Sequence, residues 1–147
     1  MICVQKDDFN LGDEYQKLIA DTNGEGAVVT FVGLVRDFNQ DNSVHGLFLE
    51  HYPGMTEKLL LDIVMKAKLR WDLGKVSLIH RVGQLTLSEQ IVFVGVTSKH
   101  RESAFQACQF IMDFLKNDAP FWKKEMTDKG QKWVEFNEQD KLAAKRW

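Results

Sequence analysis

Residues 89–118, EQIVFVGVTSKHRESAFQACQFIMDFLKND, carry a strand pattern that runs directly into a helix pattern. The first part is dense in β-branched and apolar side chains, which is typical of a strand. The second part repeats apolar side chains every three or four residues, which predicts a long helix. Those apolar positions are Ala104, Cys108, Ile111 and Leu115. Pro120 should halt this helix, because proline cannot donate the backbone hydrogen bond that a helix interior needs.

The same two patterns alternate along the rest of the chain. Strands are predicted at residues 2–5, 27–36 and 44–52, with two or three more between residues 75 and 99. Helices are predicted at residues 12–20, 53–71 and 137–147, and a hairpin at 123–136 that turns at 128–130. The 27–36 stretch is apolar on both faces, so we expect this strand to be buried on both sides. The whole pattern predicts a single α+β domain over residues 1–147, with helices packed against largely antiparallel strands.

Composition and charge narrow the classes of function that the chain can have. The 147 residues include 44% hydrophobic and 27% charged side chains, which is ordinary for one globular domain. The net charge of −2 gives no overall attraction for nucleic acid or anionic lipid, so any anion site must be a local cluster of basic residues. No apolar run reaches the length of a membrane span and no targeting segment is recognised, so a cytoplasmic location is expected.

The junction between the strand and the helix of residues 89–118 is a candidate anion site. Ser98 is a good candidate for the helix N-cap, which would place His100 and Arg101 in the first helical turn. Cations there oppose the helix dipole, so their presence beside exposed backbone N–H groups suggests a seat for an anion such as a phosphate. The alternative is that these side chains, with Lys99, are simply solvated.

A second candidate is LKNDAPFWKKE, residues 115–125, where two aromatic side chains precede two lysines. If Phe121 and Trp122 pack down, they fix where Lys123 and Lys124 point, and an ordered lysine is what a catalytic or phosphate-binding site needs. The alternative is a hydrophobic anchor with incidental lysines. A further candidate, Arg36, ends a predicted strand and opens the polar loop 37–43, a common position for a functional residue. The alternative is that Arg36 is simply exposed to solvent.

Other reactive side chains give weaker signals. The histidines at positions 45, 51 and 80 have no metal-ligand spacing, and single histidines on strands are usually structural. Cys108 lies on the apolar stripe of its helix and is predicted to be inert core, while nothing near Cys3 would activate its thiol. The sequence therefore offers no credible cysteine nucleophile, metal site or resident cofactor.

Four segments together resemble the large, catalytic subunit of molybdopterin synthase. They are GAVVTFVGLVR (26–36), LEHYPGMTEK (49–58), IVFVGVTSKHRESAF (91–105) and APFWKKE (119–125). The resemblance covers nearly the whole chain, from about residue 10 to the terminal AAKRW. It implies an α/β hammerhead fold with additional antiparallel β structure.

The resemblance also implies an activity. Such enzymes convert cyclic pyranopterin monophosphate into molybdopterin by installing the two dithiolene sulfurs. The sulfur arrives as a thiocarboxylate on the C-terminal Gly-Gly tail of a small ubiquitin-like subunit, and two large subunits form a homodimer within a heterotetramer. A sulfur-carrying partner would explain the lack of a cysteine nucleophile, and two anionic reactants would explain local basic clusters on a slightly acidic chain.

Site residues carry over by position from the family pattern. Lys116 and Lys123 are implied as catalytic, stabilising developing negative charge or shuttling protons. The implied substrate-binding residues are Leu34, Val35, Arg36, His100, Arg101, Lys116, Lys123, Lys124 and Glu125. Lys124 stands where some relatives have arginine, which keeps the charge but loses bidentate geometry. Phe136 and Asn137 stand where some relatives have a basic residue, so no role is assigned there.

Two other functions remain open on the sequence alone. A small nucleic-acid-binding module would use the basic and aromatic side chains for backbone contacts and base stacking, with steep salt dependence. A non-catalytic scaffold would dock a ubiquitin-like protein without turning over a pterin substrate.

Overall fold

The computed structural model describes residues 1–36, 44–127, 130–134 and 138–147. The strands are β1 (Ile2–Gln5), β2 (Ala27–Leu34), β3 (Val44–His51), β4 (Leu73–Arg81), β5 (Gly83–Thr86), β6 (Gln90–Ser98), β7 (Phe121–Thr127) and β8 (Gly130–Val134). The helices are α1 (Leu11–Ile19), α2 (Met55–Arg70), α3 (Arg101–Asp118) and α4 (Glu138–Ala144). The predicted loop 37–43 and positions 128–129 of the predicted hairpin turn lie outside the described residues, as do Phe136 and Asn137.

The strands form two four-stranded sheets. The first sheet has the order β1-β4-β6-β2, and the second has the order β5-β3-β7-β8. Within them, β1 and β4 pair in parallel and the remaining pairs are antiparallel. This architecture confirms the predicted α+β class with largely antiparallel strands. The region between residues 75 and 99 supplies three of those strands.

Helices α2 and α3 cover one face of the first sheet. Their apolar stripes pack on the side chains of β4 and β6 that point to that face, including Leu78 and Val94, which are opposite each other in the ladder. All four apolar positions predicted on α3 are buried, and the helix ends at Asp118, two residues before Pro120. Helix α1 covers the other face, where Leu18 packs with Phe9, Ile79 and Phe93.

A smaller core joins the second sheet to the first. It consists of Val35, Leu47, Leu49, Val82 and Leu85. Phe121 packs against this core and also against the larger core under α2 and α3. The first residue of β7 therefore lies where the two sheets meet.

Two local predictions were wrong. Strand β2 is an edge strand, and Phe31 and Leu34 are 41% and 54% exposed, so it is not buried on both sides. Ser98 is not an N-cap, because β6 stays paired through Ser98 with both β2 and β4 and the Ser98 hydroxyl donates to the Asp72 carbonyl at 2.9 Å. The N-cap is His100, whose side chain makes no capping hydrogen bond.

Candidate functional site

Helix α3 and strand β7 carry the two lysines to one end of the first sheet. Lys116 lies exposed in the last turn of α3, where the helix dipole favours a cation. The chain turns at Ala119 and Pro120 and enters β7, which holds the partly buried Lys123. The positive charges of both lysines act on the same buried imidazole, that of His80. Lys116 and Lys123 therefore converge, and we call this pair the lysine centre.

Strand alternation separates the two adjacent lysines of β7. Lys123 is opposite Leu49 in the ladder, and Leu49 belongs to the small core, so Lys123 points to the inner face of the second sheet. Lys124 points to the outer face, where its ammonium group lies 4.8 Å from the ring centroid of Trp133, a cation–π contact. Lys124 therefore points away from the lysine centre.

The same alternation divides the two aromatic residues of APFWKKE. Phe121 points inward with Lys123 and is partly buried, as predicted. Trp122 points outward and is 49% exposed, so the prediction that both rings pack down was wrong for Trp122. The reason is the period of two in a strand, which cannot bury neighbouring side chains against one core.

Glu125 is a buried carboxylate on the inner face, two residues beyond Lys123. It is opposite Leu47, a core residue of the second sheet, and only 5% of its surface is exposed. Glu125 therefore shares the inner face of β7 with Lys123.

The segment after β2 reaches the same end of the molecule. The Val35 side chain is buried in the small core, its N–H donates to the Glu89 carbonyl at 2.9 Å, and its carbonyl accepts from the Ser88 N–H at 2.7 Å. This anchoring fixes where the chain emerges at the exposed Arg36. Leu34, Val35 and Arg36 therefore lie at the end of the first sheet where β6 begins and α3 ends.

His100 and Arg101 lie at the opposite end of α3. They stand at its N-cap and first position, with exposed side chains, whereas Lys116 is in the last turn. With a rise of 1.5 Å per residue, the fifteen positions from Arg101 to Lys116 span about 22 Å. A single chain therefore brings together Arg36, the lysine centre and Glu125, but leaves His100 and Arg101 apart from them.

His80 is a site residue that the sequence interpretation missed. It lies on β4 with 8% of its surface exposed, and its ring is stacked on Phe121 with 4.0 Å between centroids and 21° between planes. Burial, followed by the positive charges of Lys116 and Lys123, lowers the pKa of His80 to about 3. One feature of the sequence could have indicated it. His80 lies two residues after Leu78 near the end of β4, and because side chains alternate along a strand, both point to the face that packs on the core.

Thiol and metal chemistry have little support in the described part of the chain. Cys108 is buried, and burial raises the pKa of its thiol to about 11, so it is not a thiolate near neutral pH. Within residues 1–36, 44–127, 130–134 and 138–147, no three His, Cys, Asp or Glu side chains are grouped as metal ligands would be. No helix in those ranges is long and apolar enough to cross a membrane.

The two-sheet fold, with Arg36, Lys116 and Lys123 at one end of the first sheet, is that of an α+β protein suited to hold an anion through charge-assisted hydrogen bonds. A family model described as MoaE protein matches residues 4–118. The molybdopterin synthase catalytic subunit of Escherichia coli (strain K12) is 58% identical over 146 residues, which cover 99% of this chain and 97% of that protein.

Two solved structures of other proteins have the same fold as this chain. The molybdopterin biosynthesis MoaE protein from Burkholderia ambifaria MC40-6 superimposes with a TM-score of 0.85 at 46% identity, covering 100% of this chain and 97% of that one. A complex of subunits 1 and 2 of molybdopterin-converting factor from Helicobacter pylori 26695 has a TM-score of 0.75 at 19% identity, with 91% and 90% covered, and shows the shared fold. The chain belongs to the MoaE family, the catalytic subunits of molybdopterin synthase, which are sulfur-transferring enzymes of molybdenum cofactor biosynthesis.

Proposed function

We propose that this chain converts cyclic pyranopterin monophosphate into molybdopterin, taking both sulfurs from the thiocarboxylate tail of a small ubiquitin-like subunit. The observation that carries the proposal is that Lys116 and Lys123 both lie near the same buried imidazole, because this places two cationic donors on one side of the molecule. Both reactants are anions, and a positioned cation stabilises negative charge that develops during a reaction. The sulfur comes from the partner, so the buried thiol of Cys108 is not needed.

In the proposed mechanism, the thiocarboxylate sulfur attacks the pterin side chain and the cyclic phosphate opens. Lys116 and Lys123 stabilise the negative charge that develops or move protons at the reacting atoms. The acyl link between the tail and the substrate is then hydrolysed, which frees the first sulfur on the pterin. A second small subunit repeats the transfer.

The proposed phosphate contacts come from two copies of the chain. Arg36 lies at the same end of the first sheet as the lysine centre, whereas His100 and Arg101 lie about 22 Å along α3. We therefore assign His100 and Arg101 of a second copy to the phosphate, on the side opposite Arg36. A homodimer with one small subunit at each distal end, a heterotetramer, satisfies this requirement twice by symmetry.

The small-subunit partner is also part of the proposal. The Escherichia coli relative is named a catalytic subunit, and the Helicobacter pylori structure is a complex of two subunits on this fold. The partner's extended tail would reach Lys123 and Glu125 on the inner face of the second sheet. Lys124, on the outer face beside Trp133, would contribute positive charge but no contact at the reacting atoms.

We propose that the catalytic domain spans residues 1–147 and acts in the cytoplasm. The family model stops at residue 118, but Trp147 contacts Phe110 and Trp71 edge-on and donates from its indole N–H to Asp113 at 2.7 Å. The C-terminal residues therefore pack into the core under α3. Cys3 and Cys108 are both free thiols, as expected in a reducing compartment.

A turnover assay tests the proposal. Purified chain is mixed with thiocarboxylated small subunit and cyclic pyranopterin monophosphate, and dithiolene formation is measured. Formation of molybdopterin is the expected result. Tight binding of the small subunit without dithiolene would instead identify a docking scaffold, and salt-sensitive binding to generic oligonucleotides without turnover would identify a nucleic-acid module.

A further inference from the structure

Three aromatic rings lie next to one another beside the lysine centre. The ring of Phe121 is stacked on that of His80 of β4, with 4.0 Å between centroids, and lies 6.5 Å from the ring of His51 of β3. His51 is opposite Phe121 in the β3–β7 ladder. Phe121 is thus held between a residue of the first sheet and a residue of the second.

Phe121 lies between the two lysines along the chain. It follows Lys116 by five residues and precedes Lys123 by two, on the same face of β7 as Lys123. Its backbone N–H donates to the Ala119 carbonyl at 2.9 Å, which fixes the turn that joins α3 to β7. A shift of the Phe121 ring would therefore change where Lys123 stands relative to Lys116.

His80 is a rigid support for that ring. Its Nδ1 lies 2.8 Å from the Arg81 carbonyl oxygen, which can only accept, so Nδ1 carries the hydrogen and donates. Arg81 is itself held, because its guanidinium donates to the carbonyls of Lys6 and Gln90. The strand that carries His80 pairs with β1 on one side and β6 on the other.

His80 gives this support without adding charge. The depressed pKa means that the imidazole is neutral at physiological pH, so it places no third cation beside Lys116 and Lys123. It is also too weak a base to accept a proton efficiently near neutral pH. The low pKa therefore argues against a role as proton carrier and leaves the support of the Phe121 ring as the function of His80.

We propose that His80 is a positioning residue of the sulfur-transfer reaction: its ring supports Phe121, and Phe121 sets the position of Lys123 relative to Lys116. This inference rests on the proposed function of the lysine centre. The side chain of His80 acts through Phe121 and does not itself contact the reacting atoms.

Substitutions at His80 separate the stacked ring from the rest of the side chain. His80→Leu removes the ring, whereas His80→Phe keeps a stacked ring and removes the hydrogen bond to Arg81. Ile79→Val is the matched control, because Ile79 is the adjacent buried residue of β4 and packs on the opposite face, with Phe93. Each variant is checked for folding by its Tm and for affinity toward the small subunit.

In single-turnover dithiolene formation, His80→Leu is expected to be slower than wild type by at least about tenfold, since small displacements of catalytic groups are costly. The single-turnover rate of His80→Phe is expected to stay within about threefold of wild type. In steady-state assays, KM for the pterin should change little in either variant, and so should the affinity for the small subunit. Wild-type rates for a folded His80→Leu would overturn the proposal. Equal losses in His80→Leu and His80→Phe, or in Ile79→Val, would also overturn it.

A second measurement does not depend on turnover. The side-chain NMR resonances of Lys116 and Lys123 should shift clearly more in His80→Leu than in His80→Phe, while those of Lys124 stay unchanged in both. Unshifted lysine resonances in His80→Leu would overturn the positioning role. If wild-type protein makes no dithiolene, the proposed function fails, and these resonances still decide whether His80 positions the lysines.

Discussion

The imidazole of His80 and the phenyl ring of Phe121 lie face to face, with 4.0 Å between their centroids. His80 belongs to the first sheet and Phe121 begins β7 of the second, so this one contact joins the two sheets. Phe121 also packs against the cores of both. The position of Lys123, two residues along β7, therefore depends on how the sheets are joined.

The lysine centre is expected to matter for turnover more than for partner binding. Lys116→Ala and Lys123→Ala should each slow single-turnover dithiolene formation about a hundredfold, because a donor positioned at the charge that develops in the reaction is worth ~3 kcal/mol. Affinity for the small subunit should change little, since docking depends on a broad surface and one lysine is a small share of it.

Lys124→Ala is the internal control for these two variants. Lys124 points to the outer face and contacts Trp133, so its loss should leave the single-turnover rate within a few-fold of wild type. Near wild-type rates for both Lys116→Ala and Lys123→Ala would refute the assignment of the lysine centre. A large effect from Lys124 alone would mean that the outer face of β7 is the reactive one.

Local patterns in the sequence were sufficient to predict most of the helices and strands. The apolar repeat of α3 and the break at Pro120 depend on neighbouring residues only, and α3 ends at Asp118, two residues before Pro120, as they indicate. The chemistry of Cys108 was predicted for the same reason, because its place on the apolar stripe fixes its burial.

Features that depend on distant partners were not predicted. Trp122 was expected to pack down, and its exposure follows from strand alternation that is visible only once β7 pairs with β3. Ser98 resembled an N-cap, but pairing on both sides keeps it in β6. The importance of His80 could not be seen either, because its partner Phe121 is far away in the sequence.

Cys108→Ala should leave sulfur transfer nearly unchanged and lower stability by about 1 kcal/mol, because the thiol is buried and serves only packing. Single-turnover rates and urea unfolding of the variant provide the check. The native thiol should also resist alkylation at pH 7.5, since burial raises its pKa to about 11. Abolished turnover in a folded Cys108→Ala protein would contradict a mechanism in which the partner supplies the sulfur.

Trp147→Ala should destabilise the whole domain. The indole contacts Trp71 and Phe110 edge-on and donates to the buried carboxylate of Asp113, so truncation is expected to cost roughly 3 kcal/mol. Urea unfolding gives the free energy, and Leu142→Ala, at an exposed position of α4, is the control with little expected change. Equal stabilities for wild type and Trp147→Ala would show that the C-terminal tryptophan does not contribute to the stability of the domain.

The free energy of unfolding should decrease as the pH is lowered, partly because of His80. Its pKa is lowered to about 3 in the folded state, so below the unfolded value of 6.5 the unfolded chain takes up a proton that the folded chain does not. Between pH 7.5 and pH 5.0 this difference removes roughly 2 kcal/mol of unfolding free energy. Urea unfolding of wild type and His80→Phe at both pH values isolates the effect, because the other three histidines are common to both proteins. The same pH dependence in both proteins would show that His80 is not held neutral by the fold.

The separation of Arg101 from the lysine centre along α3 gives a test by complementation. If each site uses Arg101 of one copy and Lys123 of the other, Arg101→Ala and Lys123→Ala homodimers are both impaired, but a mixed dimer contains one intact site. After subunit exchange at equal concentrations, half of the dimers are mixed, so turnover should recover to about a quarter of the wild-type value. The control is a mixture of Lys116→Ala and Lys123→Ala, which share one site on one chain and should not recover. No recovery from a mixture whose subunits have demonstrably exchanged would mean that each site is built from a single chain, and that His100 and Arg101 have another role.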